Sequence, residues 1–336
     1  MRANNLPPSD RIRIGDSDYL LHDGRFLQAT ENVERLLAIF NAVFGEKKGG
    51  AWFDWKYRMQ SALSMTLTDA NGGVVANWSG FPRLLRWKGA QLAAIQNGDV
   101  LVRPDARGIL TRRGPLFQVS NAFLQAYVGG DRRFGLAFGF PNDRHMRLLE
   151  KLDLYQSVFP IRQLMWRPST DGPGIGWRWR RMADRPSRSR LQQSWNRMAL
   201  DLNHAVLADR SPDYLDWRFW DHPEHAYVWI ECWPILGHTR TYVILRHVRT
   251  GVQLLDVIGP VSTFATAVRI ARAYAAMEGA VELTAWSSPL VAATIGAGSE
   301  ATDSGGRFAV ARASVRKPGE VRSADWWLTA GDTDFM

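Results

Sequence analysis

The residues best able to do chemistry are concentrated between Gln96 and Tyr155. The core of this stretch reads Asn97-Gly98-Asp99-Val100-Leu101-Val102-Arg103-Pro104-Asp105-Ala106-Arg107-Gly108-Ile109-Leu110-Thr111-Arg112-Arg113-Gly114. An apolar strand feeding a helix through an arginine- and glycine-bearing turn brings free backbone amides, a helix N-terminus and fixed cations to one point. That combination suits a pyrophosphate. A P-loop would end in Gly-Lys-Ser/Thr, and a dinucleotide site would carry three spaced glycines followed by an acid. Neither is present.

The elements that must position this loop follow from periodicity. Glu31 to Phe44 places Val33, Leu36, Leu37, Phe40 and Phe44 on one helical face, with Thr30 to cap its start and Gly45 its end. Ser61–Thr68 and Gly73–Ser79 read as strands about the turn Asp69-Ala70-Asn71-Gly72, and Pro82–Lys88 and Gln91–Val102 continue the meander. A helix is expected over Thr111–Val128, buried through Leu116, Val119, Phe123, Leu124 and Tyr127. A strand over Phe134–Phe140, a helix capped by Asn142 and one or two strands over Tyr155–Trp166 complete the unit. The fold class is therefore α/β (α+β), with helices on a mixed sheet.

Pro168 to Arg190 reads as a linker rich in Pro, Gly, Ser and Arg, including Trp177-Arg178-Trp179-Arg180-Arg181 as an extended connector. Such Arg/Trp interleaving could also stack on bases or pin to anionic lipid. The second half repeats the first: Asp54-Trp55-Lys56-Tyr57 matches Asp216-Trp217-Arg218-Phe219. Strands follow at Ala226–Cys232, Thr241–Val248 and Val252–Gly259, then a helix over Ser262–Met277 and a strand over Ala280–Ala285. Where the first half has its basic loop, the second has Gly259-Pro260-Val261-Ser262, with no cation.

Composition narrows the class. The 336 residues, 46% hydrophobic, suffice for two domains with sizeable cores. One cysteine, Cys232, excludes an internal disulfide and a multi-thiolate metal site, and His222-Pro223-Glu224-His225 offers no metal pair because Pro223 breaks the helix such spacing needs. No metal is expected. There is no run long enough to span a bilayer and no signal-peptide block near Met1, so a cytoplasmic protein is expected. The net charge of +9 fits an anionic cofactor, an acidic substrate, nucleic acid or plain arginine bias. Nucleic acid is not the expected partner, since the Arg/Trp run is short and single. Most of the fifteen tryptophans should be core or pocket wall.

The stretch resembles motif A of the GNAT (Gcn5-related) N-acetyltransferase superfamily. Val100-Leu101-Val102 match its splayed strand, Arg103 to Gly108 the approach and Ile109 to Gly114 the turn. Phe140-Pro141-Asn142 and Leu149-Glu150-Lys151-Leu152-Asp153-Leu154-Tyr155 are similar to its second strand and the "EKLGF" segment. The resemblance covers Leu27 to Trp166 and, through the repeat, Tyr214 to Trp327 loosely. It departs from the family in lacking the middle loop glycine, in Asp153 at the EKLGF glycine, and in Leu149 where a tyrosine acid often stands.

The resemblance implies two tandem GNAT-like domains, each a mixed, mostly antiparallel sheet flanked by helices. An acyl-CoA-binding domain at 10–167, a linker at 168–190 and a degenerate copy at 191–336 are expected. It implies acetyl-CoA, or another acyl-CoA, as co-substrate and direct transfer to a small-molecule or peptide amine. Val100, Leu101, Val102, Arg107, Gly108, Ile109, Leu110, Thr111, Arg112, Arg113, Gly114 and Asn142 would contact the cofactor. Amine transfer needs a base, a carbonyl-polarising amide and a proton donor for the thiolate. Asp99 is the best-placed carboxylate, with turn capping as its bland role. Tyr155 is the nearest phenol, with core packing as its alternative. The Met336 carboxylate, Asp332 and Asp334 are further base candidates, because a terminal carboxylate serves in some relatives. His145 reads as a surface histidine near the pyrophosphate. A non-catalytic binding module and an aminoacyl or peptidyl transferase stand as alternatives, and the oligomeric state is open.

Overall fold

The computed structural model describes residues 10–314 and 325–333. In chain order the first half carries β1 (Asp10–Ile14), β2 (Ser17–Asp23), α1 (Thr30–Phe44), α2 (Gly50–Phe53), β3 (Leu63–Thr68), β4 (Val74–Trp87) and β5 (Ala90–Val102). It continues through α3 (Pro115–Tyr127), β6 (Leu136–Gly139), α4 (Asp143–Lys151) and β7 (Tyr155–Trp166). The rest carries β8 (Trp177–Arg181), α5 (Arg188–Asp201), β9 (Val206–Ala208), α6 (Pro212–Leu215), β10 (Val228–Pro234), β11 (Thr241–Val248) and β12 (Gly251–Ile258). It ends with α7 (Phe264–Met277), β13 (Glu282–Ser287), α8 (Pro289–Ile295), β14 (Glu300–Ala311) and β15 (Trp326–Trp327).

Two compact units result. One comprises the chain up to Arg83, Ala93–Ser157 and the segment beginning at Phe308; the other comprises Leu84–Leu92, Val158–Arg307 and the C-terminal segment. These differ from the contiguous division expected at 10–167 and 191–336, because the closing strands are exchanged. In the first unit, β6 pairs antiparallel with the end of β14, Phe138 opposite Val310. In the second, β13 pairs antiparallel with β7, Ala285 opposite Leu164. The expected linker is itself structured: Trp177–Arg181 is the strand β8, paired with β10.

The first unit's sheet runs β1-β2-β3-β4-β5-β6-β14, antiparallel except for the parallel pair β5–β6. Its core joins Leu67, Val75 and Trp78 of the sheet to Leu116, Val119 and Phe123 of α3 and to Met146 and Leu149 of α4. The second unit repeats the order of elements, with β12–β13 as its parallel pair. There Phe264, Val268, Ala271 and Ala275 of α7 pack on Tyr242, Ile244 and Leu255, the face that periodicity marks.

The repeated Asp-Trp-base-aromatic motif takes the same shape twice. Asp54–Arg58 and Asp216–Trp220 are both π-helical turns that extend a one-turn helix and bury the basic residue. Some local expectations shift. Thr30 lies inside α1, whose cap position is Ala29, whereas Gly45 ends the helix at φ 69°. β4 runs unbroken through Pro82. α3 begins at Pro115 rather than Thr111, because Thr111–Gly114 closes a turn (Gly114 N–H to the Thr111 carbonyl, 2.9 Å) and a proline with no N–H suits the first helical position.

Candidate functional site

The parallel register of β5 and β6 runs from Ala94↔Leu136 to Asn97↔Gly139. β5 then continues alone on that side to Val102, after Asp99 turns the backbone through φ 50°. Beside this free edge opens a cleft of about 470 Å³. Its walls include Val100, Leu101 and Val102 of β5, Ala106, Arg107, Ile109 and Leu110 of the loop, Leu116 of α3, and Asn142, Arg144, His145 and Leu148.

Seven of the twelve residues expected at a cofactor line this cleft: Val100, Leu101, Val102, Arg107, Ile109, Leu110 and Asn142. Gly108, Thr111, Arg112, Arg113 and Gly114 are not among its walls. Gly108 is exposed, with open space where a Cβ would stand. Arg112 reaches across the ring of Phe117 (6.0 Å) towards Asp153 (3.9 Å). Gly114 works from beneath the loop: a Cβ there would come within 1.9 Å of the Ile109 carbonyl oxygen. A side chain at this position would force the Ile109 carbonyl to move, so the turn as it stands requires glycine. Arg107 fastens the loop to the strand through Nε to the Val102 carbonyl (2.9 Å).

At the other wall Asn142 caps α4, its Oδ1 accepting from the His145 N–H (2.9 Å). His145 is half-buried rather than a surface residue, and burial pushes its imidazole down to about 4. It is therefore neutral at physiological pH, and the fixed positive charge on the cleft comes from Arg107 and Arg144. The segment after α4 turns at Asp153 with φ 61°, the left-handed conformation that favours glycine. Asp153 tolerates it with its carboxylate paired to Arg312 (2.9 Å).

Next to the cleft, a polar network threads the centre of the sheet. Asp99 Oδ1 accepts from Lys56 Nζ at 2.7 Å and Oδ2 from the Tyr57 hydroxyl at 2.9 Å. Lys56 is almost fully buried, its ammonium 5.1 Å from the ring centres of both Trp52 and Phe81. Ser79 Oγ donates to the Tyr57 oxygen (3.2 Å) and accepts from Asn77 Nδ2 (2.8 Å), whose Oδ1 accepts from Thr66 (2.9 Å). The Tyr155 hydroxyl donates to Asn97 Oδ1, and burial raises the phenol far above its ordinary range.

Asp99 and Tyr155, expected as base and acid, are thus brought into one network with both carboxylate oxygens and the phenol engaged. Lys56, Tyr57, Asn77, Ser79 and Asn97 were not singled out as site residues. A signal existed: Ser64/Thr66, Asn77/Ser79 and Asn97/Asp99 are polar pairs two residues apart on three neighbouring strands, and therefore face the same way.

The remaining candidates lie elsewhere. Met336 and Asp334 fall outside the described residues. Asp332 is buried in the second unit, where it and Asp256 each hold the fully buried Arg210 at 2.8 Å. It is a structural anion rather than an available base. Burial, opposed by Arg210 and reinforced by Asp332, pushes the Asp256 carboxyl above the usual carboxylate range. The His222 ring closes a turn, its Nδ1 accepting from the backbone of Glu224 and His225 (both 3.2 Å). Among the described residues no group of three metal-ligating side chains occurs and no helix is long and apolar enough to cross a membrane.

This mixed sheet, with its central parallel pair parting beside a basic loop, is similar in fold to solved GCN5-related N-acetyltransferases. Among solved structures, the chain is similar to an Enterococcus faecalis V583 protein of unknown function, a probable N-acyltransferase. The TM-score is 0.65 at 11% identity, over 88% of this chain and 72% of that one. It is similar to a GCN5-related N-acetyltransferase from Anabaena variabilis (TM-score 0.63, 12% identity, 88% and 73%). A third is N-myristoyltransferase from Saccharomyces cerevisiae with bound myristoyl-CoA (TM-score 0.54, 8% identity, 90% and 80%). No family profile and no curated protein matches the sequence.

Proposed function

We propose that the chain is an N-acyltransferase that takes an acyl group, acetyl foremost, from an acyl-CoA and passes it to an amine. The observation that carries this reading is the free edge of Val100–Val102 facing a 470 Å³ cleft with Arg107 and the Asn142-capped helix on its walls. The residues fit the co-substrate: unpaired strand amides suit the pantetheine amides and the thioester carbonyl, and a tight loop with cations suits the pyrophosphate. Arg112 and Arg113 lie on the outer side of that loop, where longer-range attraction would be their part. The acetyltransferase and myristoyl-CoA-binding neighbours share the fold and agree with this reading.

Transfer proceeds by direct attack. The amine nitrogen bonds to the thioester carbon, the carbon–sulfur bond breaks, the amine loses a proton and the thiolate gains one. Tyr155 is protonated at every physiological pH and is the candidate donor, its hydroxyl bonded to Asn97 of the strand that bears the amides. Asp99 has both carboxylate oxygens engaged, by Lys56 and Tyr57, so its first role is to hold the bend that aims Val100–Val102. A second reading, a non-catalytic acyl-CoA-binding module, is favoured by the internal engagement of both groups.

Calorimetry with CoA and acetyl-CoA, followed by thiol release across a panel of amines, separates the two. Binding with thiol release for at least one amine is expected. Binding without release for any amine selects the module, and no binding at about millimolar ligand, a ceiling of roughly 4 kcal/mol, removes both.

A further inference from the structure

The Arg/Trp run, which the cleft does not use, forms an edge. β8 pairs with β10 from Trp177↔Pro234 to Arg181↔Ile230, and it is the last strand on its side of the sheet among the described residues. The chain entering β8 and the chain leaving β10 are tied together, the Ile235 N–H donating to the Gly176 carbonyl at 2.7 Å. The two loop tips so joined present bare aliphatic groups: Ile175 is 106% exposed, Leu236 91% and Ile235 51%.

Behind these tips lie half-buried indoles, Trp177 and Trp233. The guanidinium of Arg240 stands 4.7 Å from the Trp233 ring centre and that of Arg180 at 6.0 Å. These two arginines share one carboxylate, Glu231, at 3.3 and 2.8 Å, and so keep a net positive charge. Arg178 and Arg181 are exposed on the same strand. The sequence as a whole carries +9.

Aliphatic tip, indole and guanidinium form the order of groups met on passing outward from the acyl boundary of a bilayer through its headgroups. We propose that this corner of the second unit docks on an anionic lipid surface, with Ile175, Ile235 and Leu236 entering the headgroup–acyl boundary and the arginines facing lipid phosphates. A second copy of the chain fits less well, because edge-to-edge pairing would set the arginines of β8 against one another. Nucleic acid fits less well too, since the outermost groups are aliphatic and give bases nothing to stack on.

The test is co-sedimentation of the full chain with phosphatidylcholine vesicles and with vesicles in which about a third of the lipid is phosphatidylglycerol. Partition at least about tenfold stronger onto the anionic vesicles, weakening as salt rises, is expected. Ile175→Ser with Leu236→Ser leaves the charge unchanged and should lower it about tenfold, and Arg178→Gln with Arg181→Gln should do so at low salt. Exposed positions leave the melting temperature as a control for folding. Equal partition of the serine variant would reduce the effect to bulk charge and overturn the proposal. So would a lack of preference for anionic lipid, a dimer in light scattering that the serine variant dissociates, or tRNA binding that those substitutions abolish while vesicle partition persists.

Discussion

The two units share an order of elements and differ at the point where their parallel strands part. In the first, β5 runs past its last pairing with β6 and faces an open cleft. In the second, the β12–β13 pairing ends at Leu254↔Ala285, and the C-terminal segment occupies the corresponding gap. Thr329 bridges to Ser287, the Ser288 N–H donates to the Leu328 carbonyl at 3.0 Å, and Ser288 Oγ donates to the Trp326 carbonyl at 2.6 Å. About 10 Å³ remains, walled in part by Leu255, Val257 and Trp327. The loop differs as well: Gly259-Pro260-Val261-Ser262 carries no cation, and the Val261 amide donates to the Asp201 carboxylate at 2.9 Å. One slot keeps its unpaired edge and its cations, and its counterpart is filled from within and has no cation in its loop.

Removing the filling should therefore cost the second unit far more than a ligand site would. Asp332→Ala leaves Arg210, fully buried, with one carboxylate instead of two. A loss of about 3–5 kcal/mol in urea unfolding is expected, and a loss below about 1 kcal/mol would break the contrast. Next in size is the first unit's loop. Gly114→Ala should weaken CoA binding by more than about tenfold, or 1.4 kcal/mol, with a smaller change in unfolding, because the Cβ displaces the Ile109 carbonyl. Calorimetry on the parent chain should give one CoA per chain, and two would show that the second slot still opens.

The last effect concerns acid. His145 has a folded pKa of about 4, below its ordinary 6.5, so the unfolded chain binds more protons between those values. Stability from this group is present above pH 6.5 and is lost as pH falls towards 4, with a slope of at most about 1.4 kcal/mol per pH unit. His145→Gln should flatten that limb in denaturant titrations at pH 4 to 7.

The elements around the cleft were legible because they follow local rules: period 3.6 in α1 and α3, a glycine stop at Gly45 and a cap at Asn142. The cleft's strand and half of its loop were legible through residue type. Partnership was not. Lys56 reads as an ordinary helix base until the π-turn buries it against Asp99, a residue 43 positions away. β14 escaped notice because Asp303, Ser304, Gly305 and Gly306 dilute its alternation, and β8 because glycine and proline flank it. The exchange of closing strands has no local signature at all, since it depends on which of two similar edges each strand meets.

That exchange also bears on how the protein comes off the ribosome. The first unit holds every described wall of the cleft by Leu148, yet the outer neighbour of β6 arrives only with Ala309 and Val310. Until then a nascent chain carries a finished set of ligand-facing residues on an unfinished sheet, with an open edge of the kind that invites aggregation. Synthesis order and assembly order are thus out of step, and a fragment stopped at Trp166 is expected to need chaperone help that the full chain does not.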